Sequence, residues 1–211
     1  MILYSSEARW FVSYVSFKEI LKWFGDGRDT GAGVVQEHEY LVLPDCTSTG
    51  IKLREGKLEV KALRGLPRVF ALKGGIEGVA EEWVKWSVAR GDWHERNSWL
   101  VDSGTWLKVR KERFIRRYTY GSGEFVEISG PKEALSNEGY NVEVTAIQAD
   151  VKPADWVTIG FEAFGSATTM KEILSLALQR FFEELGQIVG VPLTQEQSFG
   201  YPRWLSKVVS S

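Results

Sequence analysis

Apolar and polar positions alternate with a period of two along most of the chain. That alternation predicts strands at 8–15, 37–43, 50–54, 57–63, 81–90, 105–120, 124–129, 140–149 and 155–164. The segment 105–120 is long enough for two strands or one bent strand. Two stretches follow the helical period instead. In "SFKEILKWFG" (16–25), Phe17, Ile20, Leu21 and Phe24 share a face, Ser16 and Glu19 stand at capping-box spacing, and Gly25 supplies an end. In "TMKEILSLALQRFFEELG" (169–186), Thr169 and Glu172 form a second capping box. Ile173, Leu174, Leu176, Ala177, Phe181 and Leu185 make an apolar face broad enough to cover a sheet or plug the side of a barrel. Strands joined by short turns, with helices near the two ends, predict an α+β, mainly β fold. The expected architecture is an antiparallel sheet closed, or nearly closed, into a barrel.

The clearest alternation surrounds Glu55-Gly56 in "GIKLREGKLEVKALRG" (50–65). A two-residue turn with Gly56 at positive φ places Arg54 opposite Lys57, Leu53 opposite Leu58, Lys52 opposite Glu59 and Ile51 opposite Val60. Ile51, Leu53, Leu58 and Val60 then form one face, which needs a core. Lys52, Arg54, Lys57, Glu59 and Lys61 form the other. This charged face fits either solvent, with a Lys52–Glu59 cross-strand pair, or a barrel lumen with surplus positive charge. In the lumen, Arg54 facing Lys57 becomes favourable once an anion lies between them.

Composition narrows the setting. A chain of 211 residues fits one domain, 1–211, with a sizeable core that nine tryptophans and eleven phenylalanines make strongly aromatic. The net charge of −2 excludes a strongly basic nucleic-acid footprint, so any anion site must come from local clustering. A single cysteine, Cys46, cannot form an internal disulfide and points to a reducing compartment. No apolar run reaches membrane-spanning length, and "MILYSSEARW" lacks the layout of a signal peptide; a cytoplasmic location is expected.

The basic hairpin followed by a strand ending in lysine resembles the CYTH domain, or triphosphate tunnel metalloenzyme, superfamily. "NVEVTAIQADVKPADWVTIGFEAF" (141–164) is similar to that family's closing strand pair, and the likeness in element order runs from about residue 7 to residue 165. The resemblance implies a closed barrel whose charged tunnel binds tripolyphosphate-containing substrates with a divalent metal, Mg2+ or Mn2+. It implies Lys52, Arg54 and Lys61 as ligands of an anionic small molecule and Glu7, Glu143 and Glu162 as metal ligands; Arg9 and Arg113 are expected to help hold the anion. The family's first-strand Glu-x-Glu-x-Lys is here "EARWF" (7–11), with Arg9 and Phe11 in place of the second glutamate and the lysine. A cation in place of a ligand weakens metal binding, so the resemblance carries the fold further than the chemistry. The expected function is anion binding in a tunnel, with metal-dependent triphosphate hydrolysis as its catalytic form. The alternative is a non-catalytic binding or assembly module that also uses the aromatic C-terminal tail.

Other candidates carry less. In "KVRKERFIRRY" (108–118), Arg113, Ile115 and Arg117 share one strand face, while Glu112, Phe114, Arg116 and Tyr118 share the other. Either face suits solvent or an extension of the basic lining. His38 and His94 have no zinc-spaced partners, and neither sits in a nucleophile motif. "GAG" (31–33) and "GSG" (121–123) lack the context of a dinucleotide loop, and no P-loop motif is present. In "SFGYPRWLSKVV" (198–209), Tyr201, Trp204 and Leu205 are expected to dock on the domain, since large apolar side chains rarely stay exposed together.

Overall fold

The computed structural model describes residues 2–27, 30–89, 105–128, 137–150 and 155–209. His94 and its surrounding segment lie outside these residues. Among the described residues nine strands form one antiparallel sheet: β1 (Ile2–Ser13), β2 (Val34–Leu41), β3 (Thr49–Arg54), β4 (Lys57–Leu72), β5 (Ile76–Ala89), β6 (Trp106–Gly121), β7 (Glu124–Ile128), β8 (Gly139–Ala149) and β9 (Asp155–Phe164). Their order is β2-β3-β4-β5-β1-β9-β8-β6, and β2 also pairs with β6. That last pairing closes an eight-stranded barrel; β7 stands outside the ring as a hairpin on β6. The expected barrel is present. The segment 105–120 is one strand, and β4 runs past its expected end to Leu72 through a register shift between Arg64 and Arg68.

Among the described residues three helices accompany the barrel: α1 (Phe17–Gly25), α2 (Thr169–Leu185) and α3 (Tyr201–Val209). Neither predicted capping box forms. Ser16 makes no side-chain cap bond because it ends a 3-10 turn that Ser13 caps, and the left-handed C-terminal residue of α1 is Asp26 rather than Gly25. At α2 the N-cap position falls on Thr168, and the Thr169 hydroxyl donates instead to Glu138 at 2.7 Å.

The main hydrophobic core lies outside the barrel wall. Ala8, Trp10 and Val12 of β1, Val142 and Val144 of β8, and Val157, Ile159 and Phe161 of β9 face outward. They pack under Ile20 and Phe24 of α1 and Ile173, Leu174, Ala177, Leu178, Phe181 and Phe182 of α2. With this face covered by helices and the other facing the lumen, β8 and β9 are buried along most of their length.

A second apolar cluster closes one end of the lumen. Tyr201, Trp204, Leu205 and Val208 of α3 enter it and meet Phe11, Tyr40, Leu107, Val109, Ile147 and Ala149. The Phe11 ring is stacked between Phe199 and Trp204, at centroid distances of 5.0 and 5.7 Å. The tail therefore docks as expected, and does so as a helix inside the barrel mouth. Trp204 and Leu205 are buried there, while Tyr201 is half-buried.

Candidate functional site

The β3–β4 hairpin has the predicted register: Arg54 opposite Lys57, Leu53 opposite Leu58, Lys52 opposite Glu59 and Ile51 opposite Val60. Glu55 and Gly56 both take positive φ, 48° and 71°, as the tight turn requires. The expectation that the apolar row enters a core is corrected. Ile51, Leu53, Leu58 and Val60 lie half-buried on the barrel's exterior, and the charged row turns inward. The Lys61–Glu7 contact fixes this orientation, because it crosses from β4 to an inward side chain of β1.

Around the ring, the inward positions bring together residues far apart in sequence. Arg9 lies opposite Gly160, where a side chain would collide with its guanidinium: a Cβ there would fall 2.7 Å from Cζ. Arg9 Nη1 donates to Thr158 at 3.0 Å and lies 3.3 Å from Glu143 Oε1. Arg113 donates through Nε to Glu143 Oε2 at 2.9 Å, makes a second contact through Nη2, and reaches Gln36 at 3.0 Å. Glu143 also accepts from Thr145 at 2.6 Å. Burial would raise the Glu143 carboxyl pKa, but Arg113 and Arg9 outweigh it and hold the group well below the usual range. Glu59 is likewise shared, at 2.9 Å from Lys52 and 3.1 Å from Lys85. Burial opposes its charge too, yet those two lysines bring it down to about 2. Burial is also the main reason Lys52 is lowered to about 8.

Lys61 Nζ is 2.5 Å from Glu7 Oε2 and sits over the Trp83 ring, while Ser5 donates to the other Glu7 oxygen at 2.6 Å. Arg54 is nearer the rim, 3.5 Å from Glu55. A cleft of about 590 Å³ borders the wall there, lined by His38, Arg54, Lys108 and Arg110 among others. Arg117 shares the inward face of β6 with Arg113. Arg116 faces out and forms a two-point pair with Glu127, at 2.8 Å for each bond.

The three candidate metal ligands do not fit a divalent cation. Glu7 and Glu162 are opposite each other on β1 and β9, with Glu162 exposed, and Glu143 lies across from Gly160. Arg9 stands between Glu7 and Glu143. Glu7 and Glu143 are already engaged by cationic side chains and hydroxyls. Among the described residues, no group of three or more His, Cys, Asp or Glu side chains is placed to hold a metal ion.

Two buried lumen residues are absent from the expected site: Lys111, which the sequence does not single out, and His38, which it sets aside for want of zinc-spaced partners. Lys111 is 4% exposed; its Nζ donates to the Tyr40 hydroxyl at 2.7 Å and lies 3.4 Å from the centroid of the Tyr201 ring. His38 is 3% exposed, with Nδ1 at 3.5 Å from the same hydroxyl. Period two from Arg113 puts Lys111 on the inward face, but both faces of β6 carry cations, so the pattern could not single it out.

No protein-family model matches the chain, and no curated protein matches it. Solved structures of similar chain path exist at low identity. One is the PH1012 protein of Pyrococcus horikoshii OT3, at 14% identity and TM-score 0.44 over 99% of each chain. Another is a conserved hypothetical protein from Pyrococcus furiosus, at 14% and 0.42 over 97% of this chain and 99% of that one. A third is HpAC1 from Hippeastrum, described as a proposed adenylyl cyclase with a dominant triphosphatase activity, at 11% and 0.40 over 90% of this chain and 91% of that one. At these scores, the functional reading of this chain rests on its own lumen.

Proposed function

We propose that the chain acts as one unit that binds a phosphate-rich or similarly polyanionic small molecule in its lumen. The observation that carries this is the sharing of inward carboxylates. Glu143 serves both Arg9 and Arg113, and Glu59 serves both Lys52 and Lys85. Each pairing leaves a cation incompletely neutralised inside a polar barrel. A ligand with several anionic oxygens would supply the missing charge, with Lys52, Arg54, Lys61, Arg9 and Arg113 as its contacts. A free cysteine and a buried polar interior suit a reducing, cytoplasmic setting.

Hydrolysis would add a metal held by Glu7, Glu143 and Glu162, and their engagement with cations favours binding over that chemistry. The test is to incubate the protein with tripolyphosphate and nucleoside triphosphates, with Mg2+, with Mn2+ and with EDTA, measuring phosphate release and thermal shift. A shift without release supports binding. Release that requires a metal would replace this reading with the hydrolytic one. No shift with any anion in low salt would reject both.

A further inference from the structure

We propose that Lys111, linked through Tyr40 to His38, forms an inner oxyanion subsite of the lumen that takes up a proton when the anion binds. This rests on the anion-binding reading and adds to it a specific site and a proton linkage.

The geometry makes the case. Lys111 and His38 are both almost completely buried, and Lys111 has no carboxylate within ion-pair distance among the described residues. Its Nζ instead meets the Tyr40 hydroxyl and the faces of Tyr40 and Tyr201. With its oxygen accepting from Lys111, the Tyr40 hydroxyl has one proton to donate, and His38 Nδ1 is the neighbouring acceptor. Neutral His38 then carries its proton on Nε2, an atom that is buried and has no hydrogen-bond partner among the described residues. The site therefore offers an amine and an imidazole N–H with no acceptor beside the latter. A terminal phosphate-like group, with several oxygens around one centre, would satisfy both.

The surrounding charges explain the proton. From β3, β1 and β6, Lys52, Arg9 and Arg113 face Lys111, with Glu143 of β8 the counter-charge and Tyr201 of α3 the covering ring. Burial, then these cations, hold the lysine well below its usual pKa. Burial and the cations Lys111, Lys52, Arg54 and Arg113 lower His38 to about 2. An anion bound beside Lys111 opposes the field of these cations and raises the lysine's pKa, so complex formation favours the protonated amine and draws protons from solvent. No covalent bond is made or broken apart from that N–H.

The experiment is titration calorimetry of tripolyphosphate into the full chain, in EDTA near neutral pH and in buffers of different ionisation enthalpy. Tripolyphosphate takes up protons of its own, so the diagnostic quantity is the difference between wild type and Lys111→Met. The expected result is measurably lower proton uptake by the variant than by the wild type, with affinity weakened about tenfold or more. Equal uptake in both proteins overturns the subsite while leaving lumen binding intact. Absence of wild-type binding overturns the anion reading and this inference with it. Should the variant not fold, lysine side-chain NMR of the wild type decides: the Lys111 resonance must move to its charged position on adding anion, and an unmoved resonance in a bound complex rejects the proposal.

Discussion

Glu143 shows how a buried charge is tolerated: both oxygens are engaged, by two guanidinium groups and a hydroxyl. Removing its charge leaves Arg9 and Arg113 facing each other in a low-dielectric wall. Glu143→Gln should therefore cost about 3–5 kcal/mol in urea unfolding, the usual consequence of breaking a buried pair from one side. A cost below about 1 kcal/mol would mean that the guanidinium groups reach water or relax apart. His38 makes the opposite kind of statement. Its folded pKa, lowered to about 2 by burial and then by neighbouring cations, lies below the ordinary 6.5. Below pH 6.5 the unfolded chain binds a proton that the folded chain refuses, so stability falls as pH falls, approaching about 1.4 kcal/mol per pH unit. Glu7, Glu59 and Glu143, all lowered, begin to lose their contribution only as pH drops through about 4.5. Between pH 6.5 and 4.5 two other groups contribute in both proteins, Lys111, held well below its usual value by burial, and Glu81, raised by burial, so it is the difference between wild type and His38→Gln that isolates the histidine. Urea midpoints of the wild type should fall more steeply with falling pH across this window than those of His38→Gln; parallel curves would place His38 in contact with solvent.

At the scale of elements, the β3–β4 hairpin was legible to the residue because its alternation is strict and its turn contains glycine. The turn is also improvable. Glu55 holds φ at 48°, a left-handed conformation that costs most L-residues about 1–2 kcal/mol and that asparagine tolerates better. Glu55→Asn should stabilise the protein by about 0.5–1 kcal/mol, read from denaturant midpoints. A loss instead would show that the contacts of Glu55 with Arg54 and Gln36, at 3.5 and 3.4 Å, outweigh backbone strain. Less regular elements were not legible. The far half of β4 carries Gly65 and Pro67, which break the alternation, yet pairing with β5 resumes at Arg68. The C-terminal helix begins with Tyr201-Pro202, a start that proline permits but that carries no capping signal. Both capping boxes had the right spacing and the wrong context, since spacing cannot reveal that a 3-10 turn already occupies the entry to α1.

The whole molecule inverts the usual reading of a barrel. Alternation told which residues share a face but not which face is inside, because both are partly shielded: the apolar one by α1 and α2, the charged one by closure of the ring. The ion pairs between inward side chains of strands that do not pair directly, such as Lys61–Glu7 of β4 and β1, decide the matter, and they join residues too distant in sequence for any local pattern to link. The resulting design concentrates cations where solvent ions screen poorly. Stability should therefore depend on which anion is present, beyond the effect of ionic strength. A polyanion at about one hundred times its dissociation constant adds about 2.7 kcal/mol, which for a chain of this size raises the melting temperature by roughly 5–10 °C. Sodium chloride at matched ionic strength should give a much smaller shift. Mg2+ or Mn2+ alone should give none of comparable size, because the inward carboxylates Glu7, Glu59 and Glu143 are already paired with Lys61, Lys52 and the two arginines. Scanning calorimetry with sodium tripolyphosphate, sodium chloride and the two metal chlorides separates these cases. Equal shifts from tripolyphosphate and chloride would reduce the lumen to a set of internal salt bridges. A large shift from metal alone would mean that Glu7 and Glu143 exchange their cationic partners for a divalent ion.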